Sequence, residues 1–129
     1  MQYLSPEWMA AAGRALAADA DLGAATAGLD LTICQTVTGG PHGDVTWHVT
    51  LGEGVVRLVP GPPEEPATVR FSTDYATATA VATGELAAQR AFVEGRLRVG
   101  GDLSQLITHH RTLAAVDDAL VAVRATTTY

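Results

Sequence analysis

Five short segments of the chain alternate apolar and polar residues with the two-residue period of a half-buried β-strand. One side of each segment carries mainly Leu, Ile, Val, Trp or Phe, and the other carries Thr, Cys, His or Arg. The pattern predicts a sheet with one dry face, which needs a cover, and one wet face. The five segments are 29–37, 45–51, 55–59, 68–72 and 96–99.

Helical spacing of apolar residues occurs at the start of the chain, in two short runs between 73 and 93, and again between 102 and 123. The first helix is expected to begin after Ser5, which suits an N-cap, and to fade near 19–21, where a β region follows. Gly84 separates the two middle runs, and Asp102 suits the N-cap of the next helix. The proline-rich segment 60–66 cannot pair in a sheet and is expected to be a loop.

These elements predict an α+β fold, with a five-stranded, mostly antiparallel sheet and helices covering one face. The strand–helices–strand segment 68–99 is long enough for a crossover connection, so we expect one parallel pair there. The chain has 129 residues and no internal repeat, so 1–129 is expected to form a single domain.

The composition affects the expected packing of the core, because hydrophobic residues make up 47% of the chain and aromatic residues only 5%. A core built from Ala, Val and Leu is expected to close imperfectly and leave room inside.

The net charge of −6, from eight arginines, no lysines and 14 acids, argues against a nucleic-acid partner. The single cysteine, the lack of a signal peptide and the lack of an apolar run near about 18 residues predict a cytoplasmic protein without stable membrane insertion.

Candidate chemistry is sparse. If Val37 faces Val45 across the turn 39–43, Cys34 lies opposite His48 on the wet face, and a thiol beside an imidazole can be reactive. No third orienting residue is evident, so ordinary cross-strand packing is the favoured interpretation. His109 and the next residue point about 100° apart on a helix and cannot share one metal ion. We therefore predict no catalytic residue, no metal site and no cofactor.

The segment that opens a helix at Thr73-Asp74-Tyr75 and continues through Gly84-Glu85-Leu86 to 91–103 resembles the sterol carrier protein family, or nonspecific lipid-transfer proteins. From Phe92 the chain follows the family's pattern of an aromatic residue, then glycine, basic-leucine-basic, glycine, and an acidic residue before a hydrophobic one. The resemblance covers roughly 4–113 and is strongest over 92–106. It implies a five-stranded sheet with helices on one face, an apolar tunnel between the layers, and binding of fatty acids, acyl-CoAs or sterols.

Within such a tunnel we expect the dry face and the covering helices to supply the ligand-binding walls. Gln35, which interrupts the apolar face of the first strand, and Tyr75 are the polar candidates, although a satisfied core role is also open for both. Arg57, Arg70, Arg96 and Arg98 are expected on the wet face, where a solvated role is favoured over attraction of anionic heads. The expected wall residues are Ile33, Gln35, Trp47, Val49, Phe71, Tyr75, Phe92, Leu103, Leu106 and Ile107.

The predicted function is binding or carriage of a hydrophobic small molecule such as a fatty acyl chain, an acyl-CoA or a sterol-like lipid. Two alternatives stay open at this point. An enzyme could use the same cavity to isomerise or cyclise a hydrophobic metabolite, or the protein could be an accessory module that forms a homodimer or docks on a partner enzyme.

Overall fold

The computed structural model describes residues 1–129 and confirms the α+β architecture. Its sheet contains β1 (Asp30–Gly40), β2 (Gly43–Gly52), β3 (Val55–Pro60), β4 (Val69–Asp74) and β5 (Leu97–Gly101). The spatial order is β3-β2-β1-β4-β5. Every neighbouring pair is antiparallel except β1 with β4, which is parallel.

The single parallel pair lies elsewhere than the sequence predicts. Within the segment 68–99, β4 and β5 are antiparallel neighbours, with Thr73 opposite Leu97. Between them run two helices, α3 (Tyr75–Ala82) and α4 (Ala88–Val93). Two consecutive helices return the chain to the end of the sheet where β4 finished, so β5 must run back along it. The true crossover joins β1 to β4 through β2, β3 and the proline-rich loop.

The hairpin of β1 and β2 has the register predicted from its turn. Val37 pairs with Val45 and Cys34 with His48, and the register shifts between Val37 and Gly40. Gly39 has a φ of 71°, a left-handed conformation that suits glycine. The register therefore places the apolar alternation of both strands on the same face.

The N-terminal helix α1 (Pro6–Ala18) begins as predicted, because the Ser5 side chain accepts a hydrogen bond from the Trp8 amide at 3.2 Å. The segment after it differs from expectation. Asp19 accepts a hydrogen bond from the Leu22 amide at 2.9 Å and caps a second helix, α2 (Ala20–Ala25), which the sequence pattern does not predict. Two aspartates after an alanine run indicate the end of one helix, whereas here one of them also starts another.

The remaining helices are α5 (Leu103–Thr108), α6 (His110–Ala119) and α7 (Val121–Arg124). Asp102 caps α5 as predicted, accepting from the Ser104 amide at 3.0 Å. The two chain ends are joined, because the Tyr3 amide donates to the Thr128 carbonyl at 2.9 Å. None of these helices is both long and apolar enough to cross a membrane.

The hydrophobic core lies between the dry face of the sheet and the helices. Helix α1 packs over β3 and buries Trp8, Met9, Ala12 and Leu16. Helices α5 and α6 pack more loosely than α1, since neither contains a fully buried residue. The buried residues of the sheet are Leu31, Ile33, Val37, Trp47, Val49, Leu51, Val56 and Val69, together with His48.

Candidate functional site

A cavity of about 270 Å³ lies between the dry face of the sheet and the helical layer. Nineteen of its 25 lining residues are hydrophobic, so the interior favours an apolar occupant. The volume is close to the lower end of the range of about 300–1,000 Å³ that small-molecule sites occupy.

Small residues of the helical layer form part of the cavity lining. Helix α3 contributes Ala78 and Ala82 to the lining, and α4 contributes Ala88. The sequence predicts room inside the core, and the lining of the cavity nevertheless includes five of the seven aromatic residues.

Two tryptophans support one side of the cavity. The rings of Trp8 on α1 and Trp47 on β2 have centroids 6.3 Å apart and meet at 75°, and both residues line the cavity. Tyr3 stands edge-on against Trp8 at 5.1 Å. Edge-to-face packing of this kind holds rings in fixed positions, so this wall is rigid.

Six of the ten expected wall residues are brought together around the cavity. All come from the alternating face of the strands except one from α5. They are Ile33, Gln35, Trp47, Val49, Phe71 and Leu106.

The other four expected residues lie outside the lining. Tyr75 packs against Tyr3, with ring centroids 5.9 Å apart, and its hydroxyl accepts a hydrogen bond from Gln2 at 3.2 Å. Phe92 is 50% exposed, Leu103 43% and Ile107 72%. Helices α4 and α5 have only six residues each, and α5 presents Leu106 alone to the cavity.

A polar cluster that the sequence analysis did not predict lines the same cavity, made of Tyr3, Asp117, Arg124 and Tyr129. The Tyr3 and Tyr129 rings have centroids 5.0 Å apart. Burial raises the pKa of Tyr3 well above its ordinary value, and the neighbouring Tyr129 and Tyr75 raise it further. Burial also raises the pKa of Tyr129. A tyrosine of ordinary pKa is already protonated at neutral pH, and these shifts keep it so; both phenols can donate hydrogen bonds.

The two charged members of the polar cluster stand near each other without forming an ion pair. Burial raises the pKa of Asp117, Arg124 opposes this, and Asp118 adds to it. The ion pairs within 4.0 Å are those that Arg90 and Arg96 make with Glu94, so Arg124 has no carboxylate partner. Asp117 is exposed to solvent although many protein atoms lie near it, as expected for a residue that borders a cavity.

One sequence signal could have found this cluster. Leu113, Asp117, Leu120 and Arg124 follow the spacing i, i+4, i+7, i+11, which places them on one stripe of a continuous helical stretch. Two charged residues on an otherwise apolar stripe are unusual on a face that covers a core. The four arginines expected on the wet face are absent from the lining, and Arg96 instead donates to Thr77 at 3.2 Å.

The Cys34–His48 pair lies on the opposite face of the sheet and does not line the cavity. His48 is buried, with its Nδ1 2.8 Å from the Gly61 carbonyl oxygen in the loop after β3. The wet face is therefore covered at this point. Burial raises the pKa of the Cys34 thiol, with a smaller opposite effect from Arg70, so the thiolate is disfavoured.

Comparison with known proteins identifies the family and the fold. The sequence model of the SCP-2 sterol transfer family matches residues 12–114. No curated protein matches the sequence. Solved structures share the fold at low sequence identity.

A crystal structure of sterol carrier protein 2 superimposes with a TM-score of 0.71 at 20% identity, covering 92% of this chain and 96% of that one. A conserved hypothetical protein from Thermus thermophilus, described as possibly a sterol carrier protein, gives 0.72 at 20% identity, covering 92% and 87%. A solution structure of palmitated SCP2L2 from Aedes aegypti gives 0.58 at 16% identity, covering 85% and 93%.

Proposed function

We propose that this chain, which belongs to the SCP-2 sterol transfer family, holds one hydrophobic ligand in the cavity between sheet and helices. Membership of that family supports lipid or sterol binding or transfer in general. The ligand class is a fatty acyl chain, an acyl-CoA or a sterol-like lipid. The observation that carries the proposal is the cavity itself, apolar in most of its lining and placed where the dry face of the sheet meets its cover.

Burial of methylenes supplies enough free energy for such binding. A sixteen-carbon acyl chain has about 14 methylenes, so complete burial contributes about 11 kcal/mol. Association costs about 4 kcal/mol or more in lost translational and rotational freedom. The difference corresponds to an affinity in the micromolar range without any specific polar contact.

A flexible chain suits this cavity better than a rigid ring system. The volume of about 270 Å³ is modest, and an acyl chain can bend to follow its outline. The cavity can also widen, because α5 and α6 have no fully buried residue and little packing to lose when they shift. The palmitated state of the Aedes aegypti neighbour supports the same ligand class.

Native mass spectrometry of the purified protein tests the proposal. We expect a co-purifying lipid, or, after delipidation, one equivalent of palmitate bound with a rise in melting temperature. A cavity-filling variant, Ala82→Phe, is expected to weaken palmitate binding at least about tenfold, because the ring occupies the ligand's space. Ala114→Phe is the matched control, since Ala114 is exposed on α6 and lies outside the lining.

The contrary result is equally definite. A protein that carries no lipid, and gains no thermal stability from palmitate, hexadecanol, palmitoyl-CoA or cholesterol, contradicts the proposal. Equal effects of Ala82→Phe and Ala114→Phe would also contradict it, because ligand binding would then be unrelated to the cavity.

A further inference from the structure

We infer that the cavity selects an acyl chain with an anionic head, a carboxylate or a phosphate, and that Arg124 binds that head. The inference rests on the proposed function, since it names the ligand's polar end and the residue that recognises it. Its ground is the polar cluster, which contains the only two charged residues of a mostly apolar lining.

Arg124 is the only cationic residue among the 25 that line the cavity. The other seven arginines lie outside the lining, and two of them pair with Glu94. Arg124 has no carboxylate within 4.0 Å, so its guanidinium is free to accept an anionic partner. A guanidinium binds carboxylate or phosphate through parallel N–H donors, and this geometry suits a lipid head.

The short helix that carries Arg124 is held in place by the joined chain ends. The N-terminal amine of Met1 donates to the Thr126 carbonyl at 2.6 Å, and the Thr128 amide donates to the Met1 carbonyl at 2.6 Å. The Tyr3 amide completes the set by donating to the Thr128 carbonyl. A binding group on a fixed backbone loses less freedom when the ligand arrives.

Two phenols of the same cluster can add hydrogen bonds to the head. Tyr3 and Tyr129 both line the cavity beside Arg124, and both interact electrostatically with it. Each phenol is protonated at the pH of the test, as any tyrosine of ordinary or raised pKa is, and offers one O–H donor. An anion accepts hydrogen bonds from such donors more strongly than a neutral alcohol does.

Asp117 acts in the opposite direction. It lies in the same cluster, and an ionised Asp117 repels an anionic head and competes for Arg124. The two neighbours should therefore have opposite effects on the same ligand, whereas a merely structural role would make both substitutions weaken binding.

The test compares palmitate, hexadecyl phosphate and hexadecanol, which share a sixteen-carbon chain, at pH 8 by displacement of a fluorescent fatty acid. Arg124→Gln is expected to weaken palmitate binding about tenfold, as loss of a charge-assisted hydrogen bond does. Asp117→Asn is expected to tighten it about threefold. Hexadecanol should bind both variants like the original protein. Arg111→Gln, an exposed arginine of α6 outside the lining, is the control and should change nothing.

The outcomes separate this inference from the proposed function. If none of the three probes binds, this inference is overturned, and the proposed function fails with it when palmitoyl-CoA and cholesterol do not bind either. If all bind but Arg124→Gln leaves palmitate unchanged, or weakens hexadecanol equally, the carrier function stands and head recognition by Arg124 is overturned. A preference for palmitate or for hexadecyl phosphate identifies the carboxylate or the phosphate as the source of the anion, and either preference supports the inference provided that Arg124→Gln removes it.

Discussion

At the scale of single residues, Cys34 shows why proximity alone does not make a reactive site. Its strand register places it opposite His48. The imidazole is engaged by the Gly61 carbonyl through Nδ1, and burial disfavours the Cys34 thiolate by raising the pKa of the thiol. A nucleophilic cysteine needs the reverse, a partner that lowers its pKa. The raised pKa of Cys34 thus works against the thiolate that a reactive pair would need.

This interpretation predicts slow thiol chemistry. Because the pKa of Cys34 is raised in the folded protein, we expect it to react with Ellman's reagent at pH 7.5 several-fold more slowly than the same residue in urea. The rate should rise with pH through a midpoint above the ordinary value for cysteine. Cys34→Ser should leave palmitate affinity within about twofold. Reaction as fast as in the unfolded chain would contradict the assignment.

The residues of the cavity divide by how their positions are encoded. Ile33, Trp47 and Phe71 lie on strands, where alternation alone decides which face a side chain occupies, and all three are predictable as walls from the sequence. Arg124 and Asp117 were missed because charged residues near a chain end are ordinarily solvated. Only the stripe that they share with Leu113 and Leu120 indicates that they border the cavity, although both are exposed.

At the scale of elements, two helix caps and the β1–β2 turn were predictable, whereas the Asp19 cap and the direction of β5 were not. Ser5 and Asp102 start helices because a short polar side chain can accept a hydrogen bond from the next turn's amide, and this is a local property. The direction of β5 depends on how α3 and α4 pack after β4, and this packing involves residues far apart in the sequence. The two helical runs on either side of Gly84 are consistent with an antiparallel return of the chain, but the packing of the two helices determines the direction of β5.

Gly101 lies at the junction of β5 and α5, where close backbone packing leaves room only for glycine. Its φ is 92°, and a Cβ there would overlap the carbonyl oxygen of Thr68, which accepts a hydrogen bond from the Asp102 amide at 2.8 Å. Gly101→Ala is expected to lower the free energy of unfolding by about 3 kcal/mol or more, from backbone strain and overlap together.

Gly84 offers the matched control for Gly101. Its φ is 83°, but a Cβ there would have nothing within 4 Å. Gly84→Ala should therefore cost only the left-handed backbone strain, about 1 kcal/mol. Urea denaturation of both variants measures the difference. Equal losses for the two alanines would show that the junction after β5 can relax, and that the Thr68 carbonyl does not fix it.

At the scale of the whole molecule, the helical layer covers the sheet unevenly. Helix α1 buries four side chains over β3, whereas α5 and α6 bury none completely and border the cavity instead. Local stability follows buried contacts, so the two parts of the layer should open with different free energies. The cavity and the loosely packed helices therefore occur in the same part of the molecule.

Hydrogen exchange tests this unevenness together with the proposed function. Without ligand, amides of α5 and α6 are expected to exchange faster than those of α1, because opening these helices exposes little buried surface. Saturating palmitate should slow exchange in α5 and α6, by up to about 100-fold at 100 times the dissociation constant, if the opened state does not bind. Amides in the middle of α1 should change much less. The Ala82→Phe variant supplies the control, since a filled cavity should remove the ligand effect while keeping the difference between α1 and α6. Uniform exchange across the helical layer, or protection by palmitate confined to α1, would contradict the argument, because the ligand would then not be bordered by the loosely packed helices.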